Sequence, residues 1–229
     1  YEIETHHLIN LFFSFITILG ITKITKSIFN SKVSKIVFLI LFLNPIFFGH
    51  MSINTKDTII AFSNVWATYF IIRYLQTQSS EIRRKHFSML IGIAIGFGIG
   101  SRIISLATFA PIFILIFLDI FFIKIIRDKK FSINNFFKDF LKIFLIAYFI
   151  MIIFWPNVHS NIFILPFKFF LESLKDSSYG TAWGFLDGEI YKTINTPRLY
   201  LLINLFYKLP EYLLFTYIIF IYLFFNFLN

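Results

Sequence analysis

Cysteine is absent from the 229 residues, which excludes disulfides, thiolate metal ligands and a cysteine nucleophile. Charge is scarce as well. Only 14% of residues are Asp, Glu, Lys or Arg, against roughly a quarter in an ordinary soluble domain, so too little polar surface remains to cover a globule in water. No GxxxxGK[ST] loop occurs, which argues against an ATP-driven pump in this chain, and no serine sits in a strand-to-helix elbow of the hydrolase kind. Internal repeats and low-complexity linkers are missing too, so residues 1–229 read as a single membrane domain. Residue 1 is Tyr rather than Met, and no basic stretch with a cleavage site precedes the first apolar run. The chain is therefore expected to be truncated at its start, and Asn229 directly follows an apolar run, so a cut is expected at that end too.

What is present is apolar: 58% of residues are hydrophobic and the mean hydropathy is +0.77. Long runs nearly free of charge, such as 103–123 and 212–228, have the length of bilayer spans. The 35 Phe residues, with abundant Ile, Lys and Asn, are what an AT-rich coding sequence produces, and they carry no functional inference. The net charge of +9 does not point to nucleic acid, because the basic residues sit in short clusters between apolar runs, as in cytoplasmic loops of membrane proteins. The expected fold class is all-α: a polytopic transmembrane bundle with spans near 8–22, 36–50, 58–76, 87–100, 103–123, 140–155 and 209–228.

The clusters set an orientation. Lys23, Lys26, Lys32 and Lys35, then Arg73, Arg83, Arg84 and Lys85, then Lys124, Arg127, Lys129, Lys130, Lys138 and Lys142 make up 14 of the 21 Lys and Arg residues. The positive-inside rule places these loops in the cytoplasm and the N-terminal Tyr-Glu-Ile-Glu, the turn 51–57 and the segment 156–208 outside. It also requires two spans rather than one across 86–124, since a single helix there would reach ~58 Å, about twice a hydrocarbon core. Asn44-Pro45 is expected to kink the second span, making it a cavity wall. The segment 156–208 is too long and mixed for a connector, and 163–174 has the spacing of a helix lying along the outer membrane face.

Four polar features could carry chemistry. Gly49-His50-Met51-Ser52-Ile53-Asn54-Thr55-Lys56-Asp57 gathers a carboxylate, an ammonium, an imidazole and an amide at the outer mouth of two spans. An acid there could orient or deprotonate a hydroxyl and a lysine could neutralise a phosphate leaving group; the plainer reading is an interfacial turn with Asp57 near a helix N-terminus. Gly92, Gly96, Gly98 and Gly100 are spaced for close helix approach rather than for a dinucleotide. Arg102, the one Lys or Arg between Lys85 and Lys124, suits phosphate oxygens at membrane depth, or else snorkels to headgroups. His6 and His7 beside Glu2 and Glu4 match no strong metal-ligand spacing and read as water-exposed terminal residues. Asp119, close to Lys124, reads as half of an interfacial pair.

Taken in order, Glu4-Thr5-His6-His7-Leu8-Ile9-Asn10, then Asn44-Pro45 to Gly49-His50 with Asn54-Thr55-Lys56-Asp57, then Gly96 to Ser101-Arg102, and finally Leu186-Asp187-Gly188-Glu189 through Pro197-Arg198-Leu199-Tyr200 to Leu209-Pro210-Glu211 resemble the superfamily C membrane glycosyltransferases of the dolichyl-phosphate-mannose protein mannosyltransferase type and their bacterial relatives. The resemblance implies sugar transfer from a polyprenyl-phosphate donor to a hydroxyl acceptor on protein, lipid or glycan, at the extracytoplasmic face of a bilayer, most naturally a bacterial inner membrane. It implies that Asp57 helps place the acceptor or the base, that Lys56 and Arg102 bind the donor phosphate, and that His50 and Asn54 shape the pocket. The family's first-loop acid would precede Tyr1, so the fragment alone is expected to be inactive. No residue is assigned to a metal, and the pattern neither requires nor excludes a divalent ion. A lipid-linked glycan transporter would show inverted repeats and midplane ionisable groups, which are not found; a non-catalytic membrane subunit would need no polar cluster at the outer mouths.

Overall fold

A computed structural model describes residues 2–123, 131–175, 183–186, 188–192 and 195–228. These form ten α-helices and one small hairpin: α1 Glu2–Ile28, α2 Ser31–Phe42, α3 Pro45–His50, α4 Thr55–Gln76, α5 Glu81–Ser101, α6 Leu106–Leu118, α7 Ile133–Phe154, α8 Leu165–Lys175, β1 Trp183–Leu186, β2 Glu189–Lys192, α9 Tyr200–Lys208 and α10 Glu211–Leu228. The architecture is all-α, as expected from the long apolar runs.

Local chemistry sets the boundaries. The Asn30 side chain accepts from the Lys32 and Val33 amides at 2.9 and 3.0 Å and starts α2, satisfying donors that a helix leaves orphaned. At Asn44-Pro45 the sequence predicts a kink, but the helix ends outright. Pro45 occupies the first helical position and the Asn44 side chain accepts from the Phe47 amide at 2.9 Å, so the pair stops one helix and nucleates another. The described part of the 86–124 stretch is two helices rather than one: Arg102 leaves α5 in an extended conformation, Ile103–Ser105 makes a single 3-10 turn, and α6 follows.

Within 156–208 the expected helix over 163–174 forms as α8, Leu165–Lys175, and two further elements join it. Trp183↔Lys192 through Leu186↔Glu189 pair as an antiparallel hairpin, with Gly188 at φ +86° in its turn, a conformation that favours glycine. Helix α9 then meets α10 at a 118° bend around Pro210. Four-residue strands are too short for alternation to stand out in a sequence. The basic residues Lys124, Arg127, Lys129 and Lys130 lie outside the described residues, as do Asp176 and Asp187; Asp119, whose expected partner was Lys124, is itself buried.

Helix α5 is the centre of the bundle, packed between α4 and α7, while α1 lies against α4 and α2. The glycine spacing explains the closeness of α5 and α7. A Cβ on Gly92 would stand 2.9 Å from the Ile143 carbonyl oxygen, one on Gly96 2.7 Å from Ile150 Cβ, and one on Gly100 3.0 Å from the Phe154 ring. Three turns of one face thus carry no side chain because backbone and branched side chains of α7 fill that space. Gly98 faces the other way, against Ser63 of α4. Gly96→Val is therefore expected to overpack the α5–α7 seam and destabilise the bundle by about 1–3 kcal/mol, measured as a lowered unfolding midpoint in detergent.

Around an apolar core, polarity is not sorted as it is in a water-soluble bundle. Ser14, Thr17, Ser63 and Ser88 are fully buried, whereas Phe12, Leu115, Phe122, Phe149 and Phe220 project outward. Keeping a large apolar side chain in water forfeits about 1.5–3 kcal/mol, so a handful would cancel the ~5–15 kcal/mol that stabilises a typical domain. Small polar residues inside and aromatics outside fit helices that meet lipid. Among the described residues α1 is long and apolar enough to cross a bilayer unaided, and α9 with α10 meets the same criterion when the bent pair is taken together.

Candidate functional site

The turn 51–54 is tied to α1 by side chains that the apolar periodicity of that helix hides. His7 donates from Nδ1 to the Ser52 carbonyl at 2.6 Å, and the Ser14 hydroxyl donates to the Met51 carbonyl at 3.2 Å. Buried Asn10 meets the Thr58 hydroxyl, which also donates to the Asn54 carbonyl at 2.6 Å. His7, Asn10 and Ser14 form a stripe at spacings of three and four, one face of a helix, and that stripe was the available sequence signal. His7, expected to be simply water-exposed, is exposed but holds the turn.

Asn54 is the N-cap of α4, and it is used twice. Its Oδ1 accepts from the Asp57 amide at 3.2 Å, and its Nδ2 donates to Asp57 Oδ2 at 2.9 Å. This reciprocal pair is a close relative of the capping box, and it aims the Asp57 carboxylate along the first turn of α4, where the macrodipole favours an anion. The plainer sequence reading of the cluster, an acid at a helix N-terminus, is thus part of the structure, and of the two Asp57 carboxylate oxygens the Asn54 side chain holds Oδ2.

Arg102 arrives from the far end of α5. Its amide donates to the Gly98 carbonyl at 3.0 Å, closing the helix, and its Nη1 lies 4.0 Å from Asp57 Oδ1. The two side chains are 41% and 65% exposed, so the pair is worth at most about 1 kcal/mol. It holds opposite charges side by side without locking them. Together His50, Ile53, Asn54, Thr55, Lys56, Asp57 and Arg102 line a cavity of ≈ 380 Å³, within the range of small-ligand sites. All five residues singled out from the sequence, His50, Asn54, Lys56, Asp57 and Arg102, meet there, drawn from segments some fifty residues apart.

A second cavity, ≈ 310 Å³ and almost wholly apolar, is lined in part by the α5–α6 turn. Ile99, Ile103 and Leu106 line it with Phe144 and Met151 of α7 and Phe167 of α8. Ile103 directly follows Arg102, so the apolar cavity and the polar one border the same short stretch of chain. Among the described residues no group of three His, Asp or Glu side chains is arranged to hold a metal ion.

The opposite end of the bundle holds a cluster that the sequence reading did not find. Arg84 Nη1 lies 2.7 Å from Asp139 Oδ2, which also accepts from the Tyr74 hydroxyl at 3.0 Å; both charged side chains are 6% exposed. In the sequence Arg84 reads as one of the cytoplasmic loop cations, and no motif singles out Asp139. The signal was Asp139 itself, the one acid in α7.

Residues 4–159 match the family model described as dolichyl-phosphate-mannose-protein mannosyltransferase. No curated protein sequence and no solved structure matches the chain.

Proposed function

Because the chain belongs to the dolichyl-phosphate-mannose-protein mannosyltransferase family, a family of integral-membrane glycosyltransferases, we propose that it transfers a hexose from a polyprenyl-phosphate carrier to a hydroxyl acceptor in the cavity between Asp57 and Arg102. The observation that carries this reading is the meeting of Arg102, Lys56 and Asp57 around one cavity. A lipid phosphate needs cations for its head and an apolar surface for its chain, and Ile103, the residue after Arg102, lines a second cavity that is almost wholly apolar.

In the proposed reaction Arg102 and Lys56 hold the donor phosphate, the acceptor oxygen attacks the anomeric carbon, and the carbon–oxygen bond to the phosphate breaks. Positive charge beside the departing phosphate matters most as that bond lengthens and negative charge accumulates on the leaving oxygens. Asp57 accepts a hydrogen bond from the acceptor hydroxyl or from the group that takes its proton, its Oδ2 being held by Asn54. His50 and Asn54 shape the wall.

The proposed topology has seven spans: α1, α2 with α3, α4, α5, α6 with the π-turn Asp119–Ile123, α7 and α10. The turn 51–54, Arg102 and 156–208 face outward. The contacts support a shared face, since Arg102 reaches Asp57 and Trp155 reaches the end of α5. With no native cysteine, single introduced thiols give a clean readout. Ile53→Cys and Asn195→Cys are expected to react with an impermeant maleimide from outside, and Ser31→Cys and Ser79→Cys only after permeabilisation. Labelling of residues 53 and 195 from opposite sides would overturn the arrangement.

A further inference from the structure

The arginine that meets the donor phosphate in the reading above has to leave α5 in one direction, and helix ends fray unless their last carbonyls find donors. The Arg102 amide uses the Gly98 carbonyl at 3.0 Å. The Gly100 carbonyl, two residues before the arginine, takes the indole N–H of Trp155 at 2.8 Å. Trp155 reaches it because Gly100 has no side chain: the Phe154 ring occupies the space where a Cβ would stand, at 3.0–3.2 Å, and so brings the C-terminus of α7 against the C-terminus of α5. Phe154 is fixed in turn by Phe97, one turn earlier on α5, with ring centroids 5.3 Å apart. On its other side the Trp155 ring meets Phe169 of α8 edge to face, with centroids 6.3 Å apart.

From this geometry we infer that Trp155 is a positioning residue for Arg102: its N–H fixes the Gly100 carbonyl and thereby the direction in which the guanidinium enters the polar cavity. The inference rests on the proposed role of Arg102 at the donor phosphate. Trp155 touches neither donor nor acceptor in this scheme and acts through the end of α5. The Phe169 contact adds that the surface helix α8 bears on the same ring, so the outer segment and the phosphate site share one anchor.

The test uses the full-length protein in lipid with a polyprenyl-phosphate-linked mannose donor, comparing Trp155→Phe, Arg102→Ala and the double variant. Trp155→Phe keeps an aromatic ring against Phe169 and removes the N–H. It is expected to lower kcat/KM for the donor about fivefold, the scale of one lost hydrogen bond, with the unfolding midpoint near that of the parent. In the Arg102→Ala background the same change is expected to do nothing more, because the residue it positions is gone. An equal fall of kcat/KM in both backgrounds would show a merely structural tryptophan and overturn the inference. So would an unchanged kcat/KM in Trp155→Phe alongside a large fall in Arg102→Ala, and that result would leave the donor-site reading intact. A kcat/KM unmoved by Arg102→Ala would instead remove the donor-site reading and this inference with it. Should Trp155→Phe lower the unfolding midpoint, benzothienylalanine at position 155, which keeps the ring shape of tryptophan but has no N–H, restores the comparison.

Discussion

Replacing Arg102 by alanine is expected to lower the rate of sugar transfer about a hundredfold, and Asp57→Asn about as much, with the fold of both variants intact. The magnitude follows from the role. A preorganised charge aimed at a developing anion is worth roughly 10²–10³ in rate, far more than the ~1 kcal/mol that the half-exposed Arg102–Asp57 pair contributes to stability. The two effects therefore separate: activity collapses while the unfolding midpoint barely moves. Arg102→Lys is expected to recover part of the loss, since a lysine restores charge but not the planar fork that matches phosphate oxygens. The measurement is transfer of labelled sugar from a defined polyprenyl-phosphate donor by the full-length protein in lipid. Unchanged rates in both Arg102→Ala and Asp57→Asn would sink the site assignment.

The second large effect has the opposite signature. Asp139→Ala is expected to destabilise the bundle by about 3–5 kcal/mol, because it strands Arg84 as a buried cation and removes the acceptor of the Tyr74 hydroxyl. The pair as a whole is worth much less than its halves, since removing both charges also removes their desolvation cost. The double variant Arg84→Met with Asp139→Leu is therefore expected to regain most of the loss. Unfolding midpoints of the two single variants and the double variant in one detergent give the comparison. A double variant no more stable than Asp139→Ala would show that the cost lies in packing rather than in an unpaired charge.

Why the Arg102 end of the bundle was legible in the sequence and the Arg84 end was not comes down to local context. His50, Asn54, Lys56 and Asp57 lie within eight consecutive residues at a boundary between apolar runs, where polar clustering stands out, and Arg102 is isolated in an apolar stretch. The glycines Gly92, Gly96 and Gly100 announced close packing by their spacing, although only the fold names α7 as the partner. Arg84 sits between Arg83 and Lys85 in a stretch that reads as a solvated loop, and nothing local distinguishes the one cation of the three that turns inward. Its partner lies 55 residues away, and pairing at that distance is a property of the tertiary structure. The break at Asn44-Pro45 was expected as a bend because proline's lost hydrogen bond is visible in the sequence; that the preceding Asn caps a fresh helix is visible only as geometry.

The double use of Asn54 has a consequence for how the carboxylate can move. One atom of that amide, Oδ1, secures the start of α4 through the Asp57 backbone, and another, Nδ2, restrains the Asp57 side chain. Were a hydroxyl to compete for Oδ2 in the proposed reaction, only the second of these two Asn54 tethers would have to give way. The helix keeps its anchorage while the acid swings, at a cost of about one exposed hydrogen bond, ~0.5–1.5 kcal/mol. Reach and rigidity are thus assigned to different atoms of a single side chain.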